Sequence, residues 1–372
     1  MPNALIHTAA SAADTSTLDT PPGQKKTQEQ AMTAMNKQWL LHQRPLGMVG
    51  AEHFKLTESP MPEPDLQAGQ VLIKTLMLGF DPAMRGWLID EPSYLPPVAI
   101  GEPMRASGVG QVVKSNNPDL PVGVLVQGLT NWQEYSIGDP AGPVPPAALP
   151  QGVPPNLALS VFGSTSLTAY FGLMDVGQPK AGETVLVSGA AGATGSVVAQ
   201  IAKLQGCRVI GIAGGAEKCQ WLRDACQLDA VIDYKSEKLE QRLGALCPKG
   251  VDIFFDNVGG GTLEAGIEHM ADFGRIVLCG AIASYNDAVP QPGPHNLMRL
   301  VTRRIRMQGF IVIDYLGRAP EAIDALTQWV SAGQIAWRED VQEGFENIPD
   351  TLQRLFDGRN VGKQLLKLAD PE

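Results

Sequence analysis

No cysteine precedes Cys207, and the five that exist, Cys207, Cys219, Cys226, Cys247 and Cys279, have no paired spacing. An odd, unpaired set excludes a disulfide framework and a zinc knuckle. Reduced thiols fit a cytoplasmic protein. Histidine is equally scarce: between Lys37 and Pro155 there are only His42 and His53. That stretch cannot assemble the Cys/His set of a catalytic zinc, so no metal is expected. An excess of positive charge is also missing. The formal net charge is -10 over 372 residues, which argues against nucleic acid as a partner. No apolar run reaches the length of a membrane span, so no membrane partner is expected. Residues 1–33 lack the basic-then-apolar order of a secretory signal and read as a disordered extension, or as residues upstream of a true start at Met32 or Met35.

What is present falls into two textures. From Lys37 to Pro155, short apolar runs at 70–77, 108–114 and 122–127 are broken by Gly and Pro turns. This is the signature of an all-β, barrel-like unit. Residues 157–173 then read as a helix, and strands alternate with helices from there on. Strands are expected at 184–188, 208–213, 230–232, 252–256, 275–279 and 306–313, with helices at 196–204, 217–226, 238–246 and 262–269. Such alternation is the pattern of a doubly wound parallel sheet, a Rossmann-type α/β fold. A helix at 320–331 and a strand at 360–368 follow, the strand returning to the first unit. The expected division is 34–163 and 315–372 for a split β-rich catalytic domain and 164–314 for the inserted dinucleotide domain.

Between the first parallel strand and its helix lies Gly189-Ala190-Ala191-Gly192-Ala193-Thr194-Gly195. Three glycines three apart let the backbone turn tightly and approach a pyrophosphate, while the helix that follows aims free N–H groups at it. An NAD site usually carries an acid at the end of the second strand to hold the ribose 2′-hydroxyl. Here the sequence is Ile212-Ala213-Gly214-Gly215, with Lys218 one turn into the next helix. The missing acid leaves room for a 2′-phosphate and Lys218 offers a cation, so NADP(H) is the expected cofactor. Glu217 stands against this unless it points away.

Several longer motifs are more specific: Leu167-Thr168-Ala169-Tyr170-Phe171-Gly172-Leu173, Phe255-Asp256-Asn257-Val258-Gly259-Gly260, and Cys279-Gly280-Ala281-Ile282-Ala283-Ser284-Tyr285-Asn286. Asp81-Pro82-Ala83-Met84-Arg85 and Asn360-Val361-Gly362-Lys363 join them. With these the chain resembles the zinc-independent medium-chain reductases of the leukotriene/prostaglandin reductase branch, including curcumin-reductase-like members, over nearly its whole length. Where zinc enzymes carry Gly-His-Glu, this chain has Gly101-Glu102-Pro103-Met104. The resemblance implies a GroES-like β-barrel domain holding a Rossmann domain, a homodimer, and NADPH-dependent reduction of the C=C bond of an enone. It implies cofactor contacts from Gly189, Gly192, Ala193, Thr194, Gly195, Lys218, Tyr234 and Asn257. It implies the same for Cys279, Gly280, Ala281, Ile282, Ser284 and Tyr285 in the nicotinamide-side loop, and for Phe310, Ile311, Val312 and Asn360. Two departures stand out: Val124 replaces an acidic turn residue, and Asn131 replaces a Gly before Trp132-Gln133-Glu134-Tyr135. Both are expected to be surface-turn changes.

Tyr285 is the expected catalytic residue. Hydride arriving at the β carbon of an enone pushes charge onto the carbonyl oxygen, and a phenol aimed there stabilises it. The alternative is a loop tyrosine that packs on the cofactor or substrate without donating. Tyr94 is a second candidate to line the substrate cleft, though a structural loop aromatic fits it too. Asp81 and Arg85 are expected to pair with each other and shape the cleft floor, and Cys279 is expected to serve packing. A quinone reductase of the same fold, or a non-enzymatic NADPH-binding regulator, are the competing readings.

Overall fold

The computed structural model describes residues 35–62 and 65–372. The expected N-terminal extension lies outside the described residues.

The first half contains β1 (Met35–Leu41), β2 (Phe54–Pro60), β3 (Val71–Phe80), β4 (Ser107–Ser115), β5 (Leu125–Leu129), β6 (Tyr135–Gly138) and β7 (Ala147–Ala148). β3 is nearly all apolar because neighbours flank it on several sides. It pairs antiparallel with β4 and with β6. β5 starts later than the apolar run predicted. Pro121 and Gly123 bend the chain first, with the Val124 N–H donating back to the Pro121 carbonyl at 3.2 Å. Val124 then tucks against a small cluster of Val71, Ile73, Val112, Leu120 and Val126. Its apolar side chain therefore serves packing and is more than a surface-turn change. Asn131 sits at φ +59°. That left-handed conformation suits Gly and is tolerated by Asn, which accounts for the exchange.

The predicted helix at 157–173 is interrupted. It forms as Pro155–Leu159 and Ser164–Phe171, broken where Ser160 adopts ψ -99°. The parallel strands follow as β8 (Thr184–Val187), β9 (Arg208–Ala213), β10 (Ala230–Asp233), β11 (Val251–Asp256), β12 (Met270–Leu278) and β13 (Arg306–Gly309). Their order is β10-β9-β8-β11-β12-β13, and every neighbouring pair is parallel. Chain order reverses between β8 and β11, so a crevice opens at the carboxyl ends of these two strands.

Side chains alternate across this sheet with period two. Val185, Val187, Val209, Ile253, Phe255 and Val277 join one core, packed by Val197, Val198 and Ile201 of the helix Ala193–Leu204. Leu186, Ile210, Ile212, Ile232, Phe254 and Ile276 join the other. Burying both faces explains why these strands read as unbroken apolar runs. Each fully buried Phe or Leu contributes about 1.5–3 kcal/mol. The helix Ala319–Ser331 adds Ala322 and Leu326 to the first of these cores.

The chain then crosses back. β14 (Glu339–Glu343) and β15 (Lys363–Lys367) pair with each other, and β15 runs antiparallel to β3 with Gln364 opposite Phe80. Ile348 and Leu352, from the helix Ile348–Asp357, pack with Leu78, Phe80 and Trp132. Among the described residues no helix is long and apolar enough to cross a membrane.

Candidate active site

The crevice at the reversal point is lined first by the 189–195 loop. Gly189 takes φ +57°. A Cβ on Gly195 would stand 2.4 Å from the Gly189 carbonyl oxygen, so no larger residue lets the helix start this close to the loop. The helix Ala193–Leu204 begins without a side-chain cap. Its first-turn N–H groups, at Ala193, Thr194 and Gly195, therefore lack intrahelical acceptors and point at whatever occupies the crevice. Gly192 forms a bridge with Gly362, which places Asn360 beside the loop; the Asn360 amide donates to the Gly362 carbonyl at 3.1 Å.

The second strand ends at a cationic corner. Burial lowers the Lys218 pKa, and the nearby Lys235 lowers it further. Two cations converging with a partial loss of water is the electrostatic mark of an anion site. The Lys218 ammonium donates to the Gly358 carbonyl at 3.1 Å. Glu217 is exposed and meets Arg338 at 3.4 Å, which offsets part of its charge, although Glu217 and Asp340 still act on Lys218 and oppose the lowering of its pKa. Tyr234 is 55% exposed and its ring lies against Gly214, where a Cβ would meet it at 2.7 Å. Asp233 ties the corner together by accepting from the Gly215 and Lys235 N–H groups, at 2.9 and 3.0 Å.

The crevice floor is tied by Asp256, whose side chain is completely buried. It accepts from the Ser188 hydroxyl at 2.6 Å and from the Val258 and Gly259 N–H groups at 3.1 and 3.0 Å. Burial raises its pKa despite these donors. Its carbonyl receives the Cys279 and Gly280 N–H groups, at 2.9 and 3.2 Å. Asn257 donates through its amide to the Ser188 carbonyl at 2.7 Å and sits against Gly189. The ends of β8, β11 and β12 are thus locked to one residue, Asp256, β8 through its carboxylate and β12 through its backbone carbonyl.

Tyr285 folds back over this floor. Its hydroxyl accepts the Ala281 N–H at 3.1 Å, and its own proton has no acceptor among the described residues. A Cβ on Gly280 would come 3.0 Å from that hydroxyl, so the phenol rests on bare backbone. Burial raises the Tyr285 pKa; Ala281 opposes the shift, while Cys279, Tyr94 and Asp256 add to it. Tyr94 is therefore within electrostatic reach of Tyr285. Tyr94 is 44% exposed, and its hydroxyl accepts the Trp87 indole N–H at 2.9 Å. Burial pushes the Cys279 thiol up to about 12, which keeps it un-ionised. The Ser284 hydroxyl donates to the Ala281 carbonyl at 3.0 Å, and the Ile282 N–H to the Asn257 carbonyl at 3.3 Å.

The loop, Asn257, residues 279–285 and Asn360 are brought together at this crevice, with Lys218 and Tyr234 at its far corner. Phe310 instead turns inward against Phe255, with ring centroids 6.3 Å apart, and under Gly172. Ile311 and Val312 are partly buried at the start of the 3₁₀ turn Val312–Arg318. One expectation is overturned: Asp81 and Arg85 do not pair. Asp81 is extended and meets Lys363 of β15 at 2.6 Å. Arg85, inside the turn Pro82–Leu88, points the other way toward residues 45–47 and Asn286. Lys235, Asp256 and Asn286 were not anticipated as site residues. Lys235 follows Tyr234 directly, and Asp256 and Asn286 lie inside the motifs Phe255–Gly260 and Cys279–Asn286, so the sequence marks their positions but not their partners.

Comparison with known proteins agrees with this geometry. Residues 37–145 match the family described as the N-terminal domain of oxidoreductase, and 193–331 the family described as zinc-binding dehydrogenase. The NADPH-dependent curcumin reductase of Escherichia coli is 42% identical over 339 residues, 90% of this chain and 97% of that protein. The chain belongs to the medium-chain dehydrogenase/reductases, in their zinc-independent, NADP-dependent reductase branch. Another such reductase, the NADP-dependent 2-alkenal reductase of Nicotiana tabacum, is 40% identical over 304 residues, 81% of this chain and 88% of that one. The crystal structure of CurA in complex with NADPH from Vibrio vulnificus superposes with a TM-score of 0.84 at 42% identity, covering 90% of this chain and all of that one. This member of the branch is an NADP-dependent oxidoreductase with the Rossmann and GroES-like architecture. The second matching family is named for zinc, yet among the described residues no three His, Cys, Asp or Glu side chains converge as ligands.

Proposed function

We propose that the chain reduces the C=C bond of α,β-unsaturated ketones or aldehydes with NADPH, and that Tyr285 donates to the carbonyl oxygen. The observation that carries the donor role is the Tyr285 hydroxyl. It accepts from Ala281, keeps its own proton unshared among the described residues, and is held un-ionised by burial. The reductases of 2-alkenals and curcumin to which the chain is 40–42% identical support the substrate class.

In this reading Ala193, Thr194 and Gly195 receive the pyrophosphate on their N–H groups, and Gly189 and Gly192 let it approach. Lys218, with Lys235, holds the 2′-phosphate, and Tyr234 flanks the adenosine end. Asn257, residues 279–285 and Asn360 line the nicotinamide end, with 311–312 beside them and Phe310 packed beneath. NADPH, when bound, supplies a hydride to the β carbon of the substrate. Tyr285 holds a proton toward the oxygen on which charge develops. The enolate then takes a proton from water at the α carbon so that the carbonyl is restored, and Tyr94 lines the substrate side. Asp256 keeps the three strand ends from shifting while this happens, and the un-ionised Cys279 does not compete as a nucleophile for the enone. The nucleotide-holding half comprises residues 164–314 with the helix Ala319–Ser331, and the β-rich half the other described residues from 35 on. Two copies pairing along the open edge of β13 and a cytoplasmic setting belong to the same proposal; light scattering checks the first.

The test is Tyr285→Phe. Turnover of an enone is expected to fall about 10²–10⁴-fold, the usual contribution of a positioned proton donor, while NADPH affinity stays within twofold of wild type. Unchanged turnover refutes the donor role.

A further inference from the structure

Arg85 is 3% exposed, yet it pairs with no carboxylate among the described residues. Asp81, four residues earlier, is taken by Lys363. The guanidinium instead spends its donors on neutral oxygens. Its Nε donates to the Asn286 side-chain oxygen at 3.0 Å, and one Nη to the Pro45 and Gly47 carbonyls at 2.9 and 3.1 Å. The other Nη has no partner. Keeping a buried cation without a counter-charge is costly, and simple packing does not require one. The contacts it makes join two separate segments. Asn286 follows Tyr285 directly and also accepts the Val49 N–H at 3.3 Å. One guanidinium therefore fixes the 45–47 loop, where Leu46 is 82% exposed, and ties the end of the 279–286 segment to it.

The geometry points to Arg85 as a positioning residue that, through Asn286, clasps the Tyr285 loop to the β-rich unit and so aims the phenol; this rests on the donor role proposed above. The Ala281 N–H and the Gly280 backbone hold the phenol from one side only. Without the clasp, the chain after Tyr285 runs through exposed residues 287–290 with nothing comparable to stop it swinging outward. A donor displaced by about 1 Å loses on the order of 10²-fold in rate.

The experiment is a double-mutant cycle on the full-length protein, with Asn286→Leu, which removes the acceptor, crossed with Tyr285→Phe. Steady-state kinetics with an aliphatic enone and NADPH are read together with melting temperature. Asn286→Leu is expected to lower kcat about 10–100-fold, with the NADPH KM within twofold, and to have no further effect in the Tyr285→Phe background. Asn286→Asp keeps an acceptor for the Arg85 Nε and is expected to retain at least half of the wild-type kcat. An equal loss in both backgrounds, an equal loss for Asn286→Leu and Asn286→Asp, or an unchanged kcat for Asn286→Leu overturns the inference while leaving Tyr285 as donor. A Tyr285→Phe variant with wild-type kcat overturns the donor reading and the clasp with it. Should Asn286→Leu fail to fold, Arg85→Gln replaces it in the same cycle with the same expected and refuting results.

Discussion

Lys218→Ala tests the assignment of the cationic corner. A hydrogen bond to a charged group contributes about 1.5–3 kcal/mol, or roughly 10–150-fold in affinity at 1.4 kcal/mol per tenfold. Two features of the corner place the effect toward the lower end. Lys218 donates to the Gly358 carbonyl at 3.1 Å and exchanges that bond for the phosphate. Lys235 remains nearby and keeps part of the field after Lys218 is gone. The expected rise in NADPH KM is therefore about 10–30-fold. NADH lacks the 2′-phosphate, so its kcat/KM is expected to move less than about twofold. Removing one of two like charges that repel each other is expected to leave the melting temperature unchanged or slightly raised. Initial rates with each cofactor at saturating enone, at low and moderate salt, give the comparison. The NADPH effect is expected to shrink with salt, since a partly exposed charge pair is screened. An equal loss with NADPH and NADH would refute the reasoning, because the residue would then act on something both cofactors share.

Gly195→Ala is expected to abolish NADPH binding by fluorescence titration or to lower the melting temperature sharply, because its Cβ would fall 2.4 Å from the Gly189 carbonyl. Burial holds the Tyr285 pKa above its ordinary 10. The donor is then protonated across the neutral range, and kcat is expected to fall only as pH climbs through that raised value. Tyr285→Phe is expected to lack this alkaline limb. Glu183 receives a two-pronged hydrogen bond from Arg275, at 2.9 and 2.6 Å, between β8 and β12. Burial is the largest single influence and raises its pKa, but Arg275 and the Lys180 N–H and ammonium together outweigh it and hold the carboxyl below the usual carboxylate range. Its contribution to stability is therefore present above the ordinary Glu pKa and lost as pH falls through the depressed one. Glu183→Gln is expected to cost about 1–3 kcal/mol at neutral pH and to flatten the acid side of a melting-temperature profile.

Much of this architecture is legible in the residues, because the features that specify it are local. Glycines at 189, 192 and 195 between an apolar strand and an amphipathic helix mark the loop whatever surrounds it. The acid-free end of β9 and Lys218 lie within six residues of Ala213 and identify the corner. The break near Ser160 is less visible, since the apolar pattern on both sides is helical and only the backbone turn separates the pieces. Long-range pairings are harder still. Asp81 and Arg85 are four apart with opposite charge, which suggests a pair, yet an extended residue entering a turn sends them in opposite directions. The partner of Asp81 is 282 residues away in sequence and that of Arg85 is 201. Only the return of β15 onto β3 brings the first of these contacts about.

The most direct test of the central claim is to identify the product formed from an aliphatic enone and NADPH carrying deuterium at the transferable position. The account predicts a saturated ketone with deuterium on the β carbon and the carbonyl intact. An allylic alcohol with deuterium on the former carbonyl carbon, or turnover confined to quinones, would contradict it.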